Sequence, residues 1–245
     1  MLGFSLLFDA HFHLFSQKNV LNEENLLQNT KISYSGCTCA VSKADFLAQE
    51  KFIGDNKLDS RISQSFGIHP WYLNLSEIDF LESLLKDKKI RVLGEMGFDF
   101  YDEKYSFTSE QQEKAWYIQL ELAKQFNVPV VIHCRKAFER IIKDSEKLNS
   151  LPFVLFHGFS GSFEQANQIS LKVPGAYFSF GKTILQNSKK ACSCIKKLPS
   201  NKIILETDDS GIEYLPLIYK KASEIRCINE IEFAEQIRRN IDISY

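Results

Sequence analysis

Phe8-Asp9-Ala10-His11-Phe12-His13 is an apolar run that ends in two histidines one residue apart. In an extended strand the side chains alternate between faces, so His11 and His13 point the same way and can share one cation. Asp9 sits one step earlier on that face, where a carboxylate could orient an imidazole through its second nitrogen or enter the site itself. Two exposed histidines at a strand end would look the same in isolation. The reading therefore turns on what the rest of the chain supplies.

Working outward, eight short apolar, β-branched or aromatic runs recur: Leu6–Ala10, Tyr34–Val41, Ile62–Ile68, Ile90–Gly94, Pro129–Ile132, Phe153–Phe156, Ala176–Phe180 and Lys202–Leu205. Polar segments with helical spacing separate them, as in Thr108–Phe126, where Ala115, Ile118, Leu122 and Phe126 fall on one face. Several of these segments open on a cap signature: Ser42 with Asp45, Ser76 with Asp79, Thr108 with Gln111 and Ser162 with Gln165. Pro129 and Pro152 stand just before strands, where a missing amide proton is tolerated. Strands alternating with helices imply a parallel sheet built from right-handed crossovers. Eight such units predict an α/β fold, a single (β/α)8 TIM barrel over residues 1–245 with its site at the C-terminal ends of the strands. An open doubly wound sheet is the alternative, but no Gly-x-Gly-x-x-Gly turn follows the first strand.

Composition narrows the function classes. The 245 residues are 44% apolar and 25% charged, and 30 Lys plus Arg balance 31 Asp plus Glu. That balance excludes a strongly basic coat, so any contact with a polyanion must be local. The opening Met1 to Phe8 is short for a signal peptide and carries no basic segment, and no apolar run has the length to cross a bilayer. The expectation is a cytoplasmic protein without a membrane partner. Six cysteines include Cys37-Thr38-Cys39 and Cys192-Ser193-Cys194. Residues two apart are poorly placed to bridge and lack the usual zinc spacing, so reduced thiols are expected.

The five histidines all fall at or just past strand ends: His11 and His13 after the first run, His69 after the third, His133 after the fifth and His157 after the sixth. The fourth run ends in Gly94-Glu95 and the eighth is followed by Glu206-Thr207-Asp208. In a barrel those ends converge. Four histidines (11, 13, 133 and 157) with Glu95 and Asp208 form a nitrogen and oxygen donor set that suits zinc, manganese, iron, nickel or cobalt, whereas magnesium alone prefers an all-oxygen shell. Six ligands exceed what one open catalytic zinc needs, so a carboxylate could bridge two cations roughly 3.5–4 Å apart, with Glu95 as the candidate. Such a cation lowers the pKa of water to about 7. Asp208 could accept that proton, bind a metal, or do both.

With these residues assembled, the chain resembles the TatD family of metal-dependent deoxyribonucleases, within the amidohydrolase-like barrel superfamily. The resemblance rests on Asp9-Ala10-His11-Phe12-His13-Leu14, Gly67-Ile68-His69-Pro70, the stretch Leu93–Tyr101, the stretch Pro129–Arg135, His157-Gly158-Phe159-Ser160-Gly161, Phe178-Ser179-Phe180-Gly181 and Leu205-Glu206-Thr207-Asp208, in that order. It implies metal ligation by His11, His13, Glu95, His133, His157 and Asp208, one or two divalent ions with magnesium now among the options, and cleavage of DNA phosphodiester bonds. It also places His69 near the substrate phosphate or behind the ligands. Arg135, two residues after His133 on the same face, carries a planar guanidinium suited to a phosphate oxygen pair. Trp71 and Tyr72 are candidates for stacking on a base, and Asp99 and Tyr101 are read as shaping the loop after the fourth strand.

The chain also departs from the family. The family commonly continues Glu-Thr-Asp with Ser-Pro and a loop holding a basic residue; here Asp208 is followed by Asp209-Ser210-Gly211, and the last helix reads as short. Lys136 stands where the family usually has Asp. The expected function is a monomeric metal-dependent hydrolase that cuts DNA at ends or in single strands. The alternatives are a barrel hydrolase of a small phosphoester, lactone or amide, and a non-catalytic binding scaffold. A family of polymerase-associated phosphatases that also opens with His-x-His fits the later blocks poorly.

Overall fold

The computed structural model describes residues 7–15 and 34–242. Leu6, expected to begin the first strand, and the opening segment before it lie outside the described residues. Eight strands, β1 (Leu7–Phe12), β2 (Tyr34–Ala40), β3 (Ile62–Phe66), β4 (Leu93–Asp99), β5 (Val130–Arg135), β6 (Val154–Phe156), β7 (Ala176–Phe180) and β8 (Ile203–Leu205), pair in chain order. Every consecutive pair is parallel. From β2 onward a helix follows each strand, and the sheet curls until its two ends meet, giving the (β/α)8 barrel that the alternation predicts.

Closure is made just beyond the ends of β1 and β8. Phe12 and Asp208 form a parallel bridge. The Asp208 N–H donates to the His11 carbonyl at 2.9 Å, and the His13 N–H donates to the Asp208 carbonyl at 3.2 Å. Beneath that bridge Asp9 is fully buried and accepts from the Thr207 N–H at 2.9 Å and the Thr207 hydroxyl at 2.6 Å. Asp9 thus works at the seam, where its carboxylate meets Thr207 in place of the imidazole partner suggested by period-two alternation. The pairing of β1 with β2 shifts register between Asp9 and Phe12, which breaks the alternation at this point. Thr207→Val keeps the shape and removes the hydroxyl, leaving one Asp9 oxygen without its donor. The expected cost is about 1–3 kcal/mol, read as a lower denaturation midpoint with an unchanged m-value; an unchanged midpoint would mean the seam does not depend on this bond.

β4 runs further than its sequence suggested, to Asp99, through Gly94 and Gly97. The glycines are there because β5 comes too close for a side chain: a Cβ on Gly97, whose φ is +140°, would stand 2.1 Å from the His133 carbonyl oxygen. The β4–β5 register also shifts between Leu93 and Met96, around Glu95. Bulges of this kind re-aim side chains beside functional sites.

The helix Ser109–Phe126 sets two strand exits. Of the apolar face read from the sequence, Ala115 and Leu122 are buried and Ile118 and Phe126 pack against the core, and the buried face also takes in Gln112 and Gln119. Gln119 accepts from the Ile68 N–H at 2.7 Å and donates to its carbonyl at 3.2 Å. Gln112 does the same for Asp99, at 2.9 and 3.2 Å. Each amide satisfies backbone groups that would otherwise be buried without partners. Each also fixes the chain at His69 or at Asp99.

The cap signatures divide. Ser42 and Ser162 cap as read, Ser162 in a full capping box with Gln165. Thr108 precedes its helix but gives its hydroxyl to the Tyr105 carbonyl. Asn74, not Ser76, accepts from the first turn of the 3-10 segment Leu75–Glu77, because the Ser76 hydroxyl is spent on Asn74 Oδ1 at 2.6 Å. The closing stretch, read as short, carries two 13-residue helices, Tyr214–Arg226 and Glu230–Asp242. Tyr219 donates to the Phe8 carbonyl at 2.8 Å and Asn240 to the Ile203 carbonyl at 2.8 Å, tying both helices to the seam strands. All six cysteines are free thiols.

Candidate metal centre

Glu95 lies at the centre of the strand ends, 1% exposed. Each of its oxygens faces its own set of imidazoles. Oε2 is 3.3 Å from His11 Nε2 and 3.6 Å from His13 Nε2. Oε1 is 3.0 Å from His69 Nε2, 2.6 Å from His133 Nδ1 and 2.6 Å from His157 Nε2. All five histidines of the chain therefore meet one carboxylate. Burial pushes the Glu95 pKa up, but the surrounding imidazoles overcome it and hold the group well below the usual carboxylate range. It stays ionised.

Asp208 completes the Oε2 side. Its Oδ1 stands 3.6 Å from His13 Nε2 and 3.9 Å from His11 Nε2, and its side chain is 40% exposed. His11, His13 and Asp208 present ligand atoms within 4.8 Å of one another, as do His157, Glu206 and Asp208. The donor set fits a cation by a direct test: among the buried side-chain atoms described, His11 Nε2 and Glu95 Oε2 have no hydrogen-bond partner, and they face each other. An unpaired buried carboxylate oxygen beside an unpaired imidazole nitrogen is costly unless a cation lies between them.

The neighbours of each imidazole decide which nitrogen is on offer. His13 Nδ1 lies 3.1 Å from the Cys39 carbonyl, which takes its N–H and leaves the Nε2 lone pair facing inward. His133 Nε2 lies 2.8 Å from Asp99 Oδ2, so Nδ1 is the nitrogen turned to the centre. Burial alone would lower the His133 pKa; its bonds to Asp99 and Glu95 push it up to about 9. His157 Nδ1 has Glu206 3.8 Å behind it. Burial raises Glu206 to about 8, against the pull of His11, while the Gly158 N–H at 2.6 Å and the Ser179 hydroxyl hold it in place. His69 differs: its Nδ1 accepts from the Trp71 N–H at 2.9 Å, so Nε2 carries the proton and donates to Glu95. Burial lowers its pKa to about 4 and it stays neutral, bracing the carboxylate with no lone pair to spare. Cys39, also near His11 and Glu95, directs its thiol at the Gly94 carbonyl at 3.2 Å, and burial keeps it protonated.

A chamber of about 670 Å³ opens over these groups. Arg135 lines it, with its guanidinium 5.1 Å from the Tyr101 ring centroid. Trp71 lines it too, stacked on Tyr105 at 5.3 Å and 8°. Tyr72 is more exposed than Trp71, its ring 5.8 Å from His69, and it does not line the chamber. Asp99 is the last residue of β4 and does shape the loop after it, its Oδ1 accepting from the Tyr101 N–H at 2.8 Å; its Oδ2 accepts from Trp71 Nε1 at 2.8 Å and also meets His133. The sequence signal for Asp99 is its period-two spacing from Glu95, hidden because the apolar run ends at Gly94. Glu206, Tyr105 and Lys182 also reach the centre or the chamber and were not singled out as site residues.

The family model described as TatD related DNase matches residues 8–245. A metal-dependent hydrolase of Haemophilus influenzae is 30% identical over 218 residues, covering 82% of this chain and 80% of its own. The metal-dependent hydrolase YabD of Bacillus subtilis is 26% identical over 83% of this chain and 80% of its own. A 3'-5' ssDNA/RNA exonuclease TatD of Escherichia fergusonii is 30% identical over 58% of this chain and 55% of its own. Among solved structures, the TatD homolog YjjV of Escherichia coli superposes with a TM-score of 0.85 at 24% identity, covering 98% and 97% of the two chains. That likeness concerns the fold.

Proposed function

The chain belongs to the TatD related DNase family and is a metal-dependent hydrolase, and from that premise we propose that it cleaves phosphodiester bonds of DNA at ends or in single strands. The observation that carries this reading is the division of Glu95: one oxygen faces His11 and His13, the other His133 and His157. His11, His13, His133, His157, Glu95 and Asp208 would hold one or two divalent ions, drawn from Zn, Mn, Mg, Ni, Co or Fe, which when bound would supply Lewis-acid polarisation and an acidified water.

The chain's own groups do the remainder. Glu95 fixes the imidazoles in register, and His69 donates to it and holds its orientation. Asp208, at the open side, accepts the proton of the attacking water. Arg135 pairs with phosphate oxygens from the rim, and Trp71, with Tyr72 beyond it, offers aromatic surface to a base. The relatives described as ssDNA/RNA exonucleases support single strands as the form taken. No helix among the described residues is long and apolar enough to cross a membrane. The proposal extends to a cytoplasmic, monomeric enzyme whose 245 residues act as one domain, a reading supported for the domain by the single eight-stranded sheet. A second reading, a small phosphoester, lactone or amide substrate, is favoured by the missing basic loop after Asp208, where Asp209-Ser210-Gly211 stand instead and Asp209 lines the chamber.

The test is end-labelled single-stranded and duplex DNA incubated with protein reloaded with each metal in turn, beside a panel of chromogenic esters. Metal-dependent shortening of the single strand is expected. Ester turnover with intact DNA under every metal would transfer the assignment to the second reading.

A further inference from the structure

A second cavity, of about 380 Å³, lies in the valley between the exits of β5 and β6. Its lining shares one residue with the chamber, His157, so the two spaces meet at a member of the metal cluster. Their charge differs. The chamber's acidic side chains, Asp99, Asp102, Glu206, Asp208 and Asp209, outnumber its cations, Lys104, Arg135 and Lys182. The valley is lined by Lys136, Arg140 and Lys190 against the single carboxylate of Glu139. Arg140 is engaged with Glu113 at 3.0 Å and with the Ser109 hydroxyl at 3.2 Å, so the positive charge the valley offers comes from the exposed Lys136 and Lys190.

Lys136 stands on the divide. Lys136 follows the last residue of β5 and takes a left-handed turn with φ at +52°, which ends the strand's alternation. Arg135 lines the chamber and Lys136 lines the valley, while the charged ends of both lie over the ring of Tyr101 on the chamber wall, at 5.1 and 4.8 Å, so Lys136 reaches from one space to the other. The valley floor is apolar, formed by Phe138, Phe156 and Phe159. A cavity of this size with an aromatic floor and cations at its rim suits one nucleotide unit: base or sugar below, phosphate above.

We propose that this valley is a second nucleotide subsite, in which Lys136 and Lys190 receive the phosphate next to the one being cleaved, with the strand passing over His157. The inference rests on the nuclease reading and narrows it. The preferred substrate is an oligonucleotide of at least two phosphates, gripped on both sides of the metal cluster.

Binding of a fluorescent single-stranded oligonucleotide, measured by anisotropy in chelator across a salt series, tests the subsite without turnover. Lys136→Glu/Lys190→Glu is expected to weaken binding by about tenfold or more, and to reduce the slope of log affinity against log salt by about 1.4, or about 0.7 per lysine. With metal restored, the ratio of kcat/KM for the oligonucleotide to that for a one-phosphate chromogenic diester should fall by a similar factor. Wild-type protein that cleaves the oligonucleotide, with a double variant that matches it in affinity, slope and ratio, overturns the subsite alone. Wild-type protein that turns over the diester but neither binds nor cuts the oligonucleotide overturns the subsite and the nuclease reading together.

Discussion

Glu95→Gln is expected to lower kcat/KM by about 10³-fold or more, roughly 4 kcal/mol of transition-state stabilisation, with the barrel still folded. The substitution keeps the shape and removes the charge. Two imidazole nitrogens now lie 2.6 Å from Oε1 and a third lies 3.0 Å away, while His11 and His13 lie 3.3 and 3.6 Å from Oε2. A carboxamide has one acceptor oxygen, and its NH₂ cannot ligate a cation or accept from His69. Metal content should fall along with activity. Elemental analysis after reloading, steady-state kinetics and circular dichroism together check this result. Activity within tenfold of wild type, or an intact metal complement, would remove Glu95 from the centre of the site.

The barrel around Glu95 should survive because its packing is apolar and separate. The interior and outer layers are built from residues such as Phe66, Met96, Trp116, Phe156, Phe178 and Ile204, all buried, and the site sits above them at the strand ends. This division also explains what could be read from the sequence. Strands flanked by helices leave a strong period, and buried parallel strands read as continuous apolar runs, so the eight strands and their order were legible. The histidines were legible because each ends such a run. Positions set by contacts between strands were not. Gly94 and Gly97 argue locally against a strand, yet they are required by the approach of β5, and so β4 seemed to stop before Asp99. Gln112 and Gln119 look like solvent-facing helix residues, and only the backbone at Asp99 and Ile68 explains their burial. Asp9 shares the histidine face by counting, but the register shift in β1 turns it to Thr207. In each case the deciding partner lies far along the chain.

Asp208→Asn is expected to reduce kcat by about 10³-fold or more, again near 4 kcal/mol, with KM and thermal stability close to wild type. The fold tolerates the change because the seam uses the backbone of residue 208: its N–H reaches the His11 carbonyl and its carbonyl receives the His13 N–H. Asn also accepts the left-handed φ of +55° found there, a conformation that Asp and Asn visit more readily than most residues. The side chain is what changes. Half of the Asp208 charge-bearing pair of oxygens faces His11 and His13 at 3.9 and 3.6 Å, on the side open to the chamber. An amide there can still lend an oxygen to a cation but cannot take a proton from water, so metal should be retained in part while turnover is lost. Kinetics, metal analysis and a thermal melt on one preparation separate the outcomes. A variant that fails to fold would make Asp208 a structural residue, and one with unchanged kcat would show that the attacking water gives its proton elsewhere.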